Sequence, residues 1–129
     1  MCGDNISESF DHGVIYYLDK TIKSEEIEWQ DHRAYEGVKI KHLITGKDTD
    51  NRFSCHIVKI SPGYEISDHI HNEQYELHEV IDGEGICIFE GKEIPYLPGY
   101  IGVMPIGKQH RITTKSGVTI LAKFFPALI

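Results

Sequence analysis

The chain has few of the features that mark disulfide frameworks, membrane spans or nucleic-acid surfaces. Its three cysteines, Cys2, Cys55 and Cys87, form neither a CxxC pair nor an even framework, which favours free thiols in a reducing compartment. No apolar run approaches the roughly 20 residues of a membrane helix, and the N-terminus lacks a basic and apolar leader. The net charge is −7, without a basic stripe that would attract nucleic acid or an anionic membrane. We therefore expect a soluble, cytoplasmic protein with no nucleic-acid partner.

The sequence pattern predicts one all-β domain. The 129 residues suffice for a single core, and we expect a loosely held polar arm over residues 1–12 followed by one domain over 13–129. Beyond Gly37, β-branched and aromatic runs alternate with turn residues at intervals of about eight to twelve positions, as in a sandwich or barrel. The predicted strands are 14–18, 38–45, 53–60, 67–71, 75–81, 84–90, 93–97, 100–104, 109–114 and 118–125. We expect a tight turn at Asp82 and Gly83 and leave 23–29 open between a helical turn and an irregular crossing.

Residues 63 to 83 hold the densest chemistry in the chain. His69 and His71 are two apart, so both imidazoles point into one space if this stretch is extended. After a short polar break, Glu76, His78 and Val80 share one face of a second apolar run. Imidazoles that converge with a carboxylate are suited to a divalent cation.

A second informative stretch covers residues 99 to 114. A strand runs into a turn that contains Pro105 and Gly107, and His110 follows at the start of a returning strand. Proline presets one turn dihedral and glycine accepts a positive φ, so this turn can direct the histidine.

Together the two stretches resemble the paired motifs of the cupin superfamily. The first family motif, G-x5-H-x-H-x4-E-x6-G, is met at every fixed position, and the second, G-x5-P-x-G-x2-H-x3-N, at all but the last. The matching positions are Gly63, His69, His71, Glu76, Gly83, Gly99, Pro105, Gly107 and His110. Thr114 stands where the family has asparagine, which leaves the hydrogen bonding around the site open.

The resemblance implies a double-stranded β-helix, a small barrel of jelly-roll type, with a metal held inside. Carried over residue by residue, it assigns His69, His71, Glu76 and His110 as the metal ligands. Three neutral imidazoles and one carboxylate suit a divalent transition metal, and iron, manganese, nickel, cobalt, copper and zinc all remain open. An octahedral ion would keep two positions for a substrate oxygen, water or dioxygen.

Several residues outside the ligand set have two interpretations. His78 should face the cavity and is our candidate catalytic residue, as a ligand contact or proton shuttle; the alternative is a packed core histidine. His56 shares a face with Ser54 and Val58, and packing is its favoured role. Tyrosines 64, 75, 96 and 100 line the mouth or simply pack, while His12, His32 and His42 receive no role. The predicted core residues are Ile86, Ile88, Val103, Ile112, Ile120 and Ala122.

Three functions fit these features. The first is a metal-dependent enzyme that acts on a small molecule as a dioxygenase, decarboxylase, lyase or isomerase. The second is a module that binds or senses a small molecule without converting it, because the two motifs offer no inward arginine for a carboxylate and Arg111 alternates away from His110. The third is a structural barrel in an oligomer. Val14 to Leu18 and the apolar tail from Phe124 to Ile129 supply an interface for a homodimer or cover one end of the barrel.

Overall fold

Alternating apolar and polar residues build twelve strands in the computed structural model, which describes residues 5–129. The strands are β1 (Val14–Tyr16), β2 (Thr21–Lys23), β3 (Gln30–Asp31), β4 (Val38–Ile44), β5 (Ser54–Ile60), β6 (Glu65–His69), β7 (Tyr75–Gly83), β8 (Gly85–Phe89), β9 (Lys92–Tyr96), β10 (Ile101–Met104), β11 (His110–Thr113) and β12 (Val118–Phe125). One helix, α1 (Ile6–Asp11), and 3-10 turns at Ser24–Glu26 and Gly46–Asp48 complete the elements. No helix within this range is long and apolar enough to cross a membrane.

Two antiparallel sheets form the barrel, and the predicted all-β jelly-roll fold is confirmed. The six-stranded sheet has the order β10-β7-β12-β5-β4-β3, and the four-stranded sheet has the order β6-β11-β8-β9. Strands β1 and β2 form a separate hairpin. The inward faces of both large sheets contribute to one apolar cluster that contains Ile60, Tyr96, Met104, Ile112 and Ile120, each almost fully buried.

Strand pairing brings distant parts of the chain together at one end of this core. His110 on β11 lies directly opposite His69 on β6. Glu76 on β7 lies between Met104 of β10 and Phe124 of β12. The strand register therefore places residues of the two sequence motifs side by side.

The chain crosses from one sheet to the other after β7, so the predicted tight turn at Asp82 and Gly83 is not a hairpin. β7 extends through Gly83, and β8 pairs with β9 and β11 instead. Gly83 has a φ of +72°, and a Cβ there would lie 2.1 Å from the carbonyl oxygen of Gly117. This close backbone approach explains the need for glycine at the crossing.

Two predicted core residues are exposed. Ile86 and Val103 have exposed fractions of 39% and 54%, whereas their neighbours Cys87 and Met104 are buried. A one-residue error in facing sends a strand's side chains to the opposite side of the sheet. Ile112, Ile120 and Ala122 are buried as predicted, and Ile88 is half-buried.

The N-terminal stretch contains a helix where the sequence predicted a loose arm. Asn5 caps α1 by accepting a hydrogen bond from the backbone of Glu8, and Ser7 is buried. Asp11 accepts hydrogen bonds from Lys41 and Trp29. Residues 1–4, including Cys2, lie outside the described residues. The division into an arm and a domain at residue 12 stays a prediction.

Candidate metal centre

Four side chains converge at the end of the barrel where the motifs meet. One ligand atom from each of His69, His71, Glu76 and His110 lies within 4.8 Å of the other three. His69 ends β6 and His71 follows two residues later, so the predicted strand through residue 71 is shorter than expected. The two imidazoles nevertheless point to the same space, with ring centroids 5.0 Å apart.

The spacing within this cluster fits a metal ion. Oε1 of Glu76 lies 3.1 Å from Nε2 of His110 and 3.4 Å from Nε2 of His71. Ligand atoms held at right angles by bonds of about 2.1 Å are about 3 Å apart. Oε1 of Glu76 and Nε2 of His110 are both buried and, apart from each other, have no hydrogen-bond partner among residues 5–129. Buried polar atoms are normally paired, so an ion that binds both would satisfy them.

Two histidines of the cluster, His69 and His71, are in the neutral form that binds metals. Nδ1 of His69 donates to the carbonyl oxygen of Ser67 at 2.9 Å, which leaves Nε2 free for an ion. Burial lowers the pKa of His69 to about 4, so its ring is neutral at pH 7. Burial also lowers the pKa of His71.

A buried chain of two hydrogen bonds, which we call the relay, fixes the carboxylate of Glu76. Nε2 of His78 donates to Oε2 of Glu76 at 2.7 Å, and Nδ1 of His78 accepts from the hydroxyl of Tyr96 at 2.7 Å. Burial raises the pKa of Tyr96, so the hydroxyl keeps its proton. Burial alone would raise the pKa of Glu76 as well, but His78 and His110 outweigh it, and the pKa lies below its usual range. One carboxylate oxygen is thus fixed while the other faces the cluster.

The relay depends on a glycine that the motifs do not include. A Cβ at Gly102 would lie 2.1 Å from the Tyr96 hydroxyl oxygen. Glycine therefore provides the space through which Tyr96 reaches His78. Both ring nitrogens of His78 are engaged, and it contacts the cluster through its hydrogen bond to Glu76 and through the His110 ring, whose centroid is 5.5 Å away. Its predicted catalytic role stays a prediction.

A cavity of about 230 Å³ opens beside the cluster. Its walls are formed by His32, Ala34, Tyr35, Ile40, Val58, Ile66, His69, Ile70, His71, Glu76, Phe124 and Leu128. The segment with His32 and Tyr35 precedes both motifs, and no sequence signal marked it. Of the tyrosines predicted at the mouth, Tyr96 is buried in the relay, and Tyr64, Tyr75 and Tyr100 are largely exposed without lining this cavity.

A larger cavity, of about 550 Å³, lies on the outer face of the six-stranded sheet under α1 and β1. Its walls are mainly apolar, and its two oppositely charged residues, Glu79 and Lys123, pair with each other. The smaller cavity is the one in contact with ligand atoms, so we identify it as the candidate site.

His56 and Thr114 support the barrel away from the cavity. His56 is fully buried and pairs with Ser54 and with Nδ1 of His42, in agreement with its favoured packing role. Thr114 donates to the carbonyl oxygen of Glu84 at 2.6 Å and accepts from the backbone of Gly117 at 2.9 Å. The threonine thus fastens the turn before β12 to the crossing before β8.

Comparison with known structures confirms the cupin fold. An RmlC-like cupin from Shewanella frigidimarina superposes with a TM-score of 0.73 at 18% identity, over 89% of this chain and 95% of that one. A predicted oxalate decarboxylase from Thermotoga maritima superposes with a TM-score of 0.73 at 24% identity, over 81% of this chain and 97% of that one. The resemblance to the cupin superfamily drawn from the two motifs is therefore confirmed at the level of the fold.

Sequence comparison gives a more limited similarity. The chain is 26% identical to an oxalate-binding protein of Thermotoga maritima over 76 residues, which are 58% of this chain and 63% of the relative. The match thus spans less than two thirds of that relative's length. No protein-family model matches the chain.

Proposed function

We propose that this cupin is a metal-dependent enzyme that acts on a small molecule at a single transition-metal ion. The observation that carries the proposal is the convergence of four ligand atoms within 4.8 Å, among which buried Oε1 of Glu76 and Nε2 of His110 lie 3.1 Å apart and have no partner besides each other. His69, His71, Glu76 and His110 would hold the ion. A bound ion would supply Lewis-acid or redox chemistry, and three imidazoles with one carboxylate suit iron, manganese, cobalt, nickel, copper or zinc.

The protein's own contribution is to hold the ligands and exclude water. The Tyr96 hydroxyl orients His78, which in turn fixes one oxygen of Glu76. Ile66 and Phe124 line the cavity beside the cluster. The result is an arrangement in which a substrate oxygen would meet an ion in a mainly apolar space.

Metal titration tests the proposal. Metal-free protein should bind one Co(II) per chain, with visible absorption bands of a protein-bound ion, and His110→Ala should lower the affinity at least about a hundredfold. His12→Ala is the matched control, because His12 is exposed and distant in sequence from both motifs. Equal binding by wild type and His110→Ala would refute the assignment.

A non-catalytic binding or sensing module is the second candidate. The engagement of both His78 nitrogens favours it, because that histidine has no ring nitrogen left to exchange a proton with a substrate. A metal-loaded protein that binds a small molecule and returns it unchanged would support this candidate. Turnover would support the enzyme.

We also propose a homodimer in the cytoplasm. In the tail, Phe124 and Ala127 are buried against the chain itself, whereas Phe125 and Ile129 are 43% and 54% exposed, so the tail supplies only part of the expected interface. On the hairpin side, Tyr16 is 79% exposed and Leu18 is fully exposed. Light scattering should show a dimer that Leu18→Ser weakens; a wild-type monomer would contradict it.

The free and buried thiols of Cys55 and Cys87 are consistent with the proposed cytoplasmic location, which is a reducing compartment.

The name of the Thermotoga relative suggests oxalate as one ligand to examine. Oxalate carries two negative charges, so whether it binds in this cavity depends on the charges of the residues that line it.

A further inference from the structure

His32 lines the cavity beside the cluster and has a ring nitrogen that can donate a hydrogen bond. The backbone N–H of Ala34 donates to Nδ1 of His32 at 3.1 Å, so Nδ1 is the acceptor and the proton of the neutral ring sits on Nε2. Burial lowers the pKa of His32, which favours that neutral form. Nε2 makes no hydrogen bond to the described residues and is free to donate to a ligand.

Aromatic packing fixes the orientation of this ring. The His32 and Tyr35 ring centroids are 4.7 Å apart, and the Tyr35 and His69 ring centroids are 6.1 Å apart. Tyr35 therefore links His32 to a candidate metal ligand. A group held in this way keeps a constant position relative to an ion in the cluster.

Charge in the cavity limits what can bind. A divalent ion with the single carboxylate of Glu76 and three neutral imidazoles has one net positive charge. The described residues that line this cavity include no lysine or arginine, and Ile40, Val58 and Leu128 form apolar walls. An adjoining cavity that shares His32, Ile40 and Leu128 is lined by both Asp31 and Arg33, whose opposite charges add no net charge. One negative charge on a ligand would neutralise the site, whereas a second would be buried without a partner, which is costly.

We propose that the site takes a small, mainly apolar oxygen ligand with at most one negative charge, and that Nε2–H of His32 donates a hydrogen bond to one of its oxygens. The cavity of about 230 Å³ is below the range of roughly 300 to 1,000 Å³ of ordinary ligand pockets, so the ligand is small. An enolisable ketone meets these requirements, and a dicarboxylate does not. This inference rests on the proposed metal site.

A matched pair of probes tests the ligand class. Acetylacetone and malonate have the same number of non-hydrogen atoms and differ in that two methyl groups replace two carboxylate oxygens. Calorimetric titration of the zinc-loaded protein, with metal content measured afterwards, should show acetylacetone binding at least about tenfold more tightly than malonate or oxalate. Tighter binding of either dianion, or no binding of acetylacetone, would overturn the assigned class.

Variants of His32 test the donor. His32→Phe keeps a ring beside Tyr35 but removes the N–H, and should weaken acetylacetone binding about three- to tenfold with metal content unchanged. His32→Gln can place an amide N–H near the Nε2 position and should restore most of the affinity. His12→Phe is the control. Equal affinity in wild type and His32→Phe would overturn the role of His32 alone, whereas a wild type without metal would overturn the proposed function and this inference together.

Discussion

Tyr96 illustrates how single residues shape the candidate site. Its hydroxyl donates to His78, and no part of it is exposed to solvent. Tyr96→Phe should lower the free energy of unfolding by about 1 to 3 kcal/mol, because Nδ1 of His78 is left buried without a donor. Urea denaturation measures this, with Tyr100→Phe as the control, since Tyr100 is 47% exposed. A loss no larger than that of the control would show that the hydrogen bond does not stabilise the fold.

Gly102 should be coupled to the same hydroxyl. Gly102→Ala should destabilise the protein by about 1 to 3 kcal/mol, because the new methyl group would lie 2.1 Å from the Tyr96 oxygen. In a Tyr96→Phe background the oxygen is gone and the cost of Gly102→Ala should be smaller. Denaturation of the two single variants and the double variant measures this coupling. Strictly additive costs would contradict the steric explanation.

At the scale of elements, a buried ion pair fastens α1 to the outer face of the six-stranded sheet. Lys41 on β4 is 2% exposed and bonds to Asp11 at the end of α1 and to the carbonyl oxygen of Ser24 at 2.8 Å. Asp11 also accepts from Trp29, which packs against the outer cluster that contains Leu43. These contacts connect the helix to the six-stranded sheet.

Asp11→Ala should lower the free energy of unfolding by about 2 to 4 kcal/mol, because it leaves the Lys41 ammonium buried without its partner. Adding Lys41→Met should recover part of the loss, since the charge is then gone. Urea denaturation of both variants is the measurement. If Asp11→Ala alone has no effect, the pair does not hold the helix.

The strands were within reach of the sequence because alternation is a short-range rule, whereas the assignment of the four ligands drew on the resemblance to the cupin motifs and stays a prediction. The resemblance to the two motifs pointed to His69, His71, Glu76 and His110, which do converge, and alternation correctly turned Glu76 and His78 inward. The facing of Ile86 and Val103 was wrong, because a one-residue shift reverses every side chain of a strand and the boundary glycines did not fix that shift.

The residues that form the cavity wall could not be predicted from the sequence, for a different reason. His32 and Tyr35 lie more than thirty residues before the first ligand histidine and meet it only through tertiary packing. Gly102 likewise owes its role to a contact with Tyr96 on another strand. No local pattern records such contacts.

For the whole molecule, pH should affect stability through buried histidine. Burial and the neighbouring His42 lower the pKa of His56 to about 4, against about 6.5 in the unfolded chain. Between these values the unfolded state binds the extra proton, so the free energy of unfolding should fall as the pH decreases from about 6.5 to about 4, by up to about 3 kcal/mol from this residue.

Urea denaturation at several pH values measures how the free energy of unfolding changes with pH. A chelator keeps the protein metal-free, so that loss of a bound metal does not contribute. His56→Gln should make this pH dependence less steep without removing it, because burial also lowers the pKa of His69 to about 4, whereas His12→Gln should leave it unchanged. An equally steep slope in His56→Gln would assign the pH dependence to other groups.

The metal site is the central claim, and anomalous diffraction from crystals of the zinc-loaded protein tests it most directly. Data collected at the zinc absorption edge should show one peak per chain, bounded by the imidazole nitrogens of His69, His71 and His110 and by Oε1 of Glu76. A peak at a different position, or none in protein that carries stoichiometric zinc, would contradict the account.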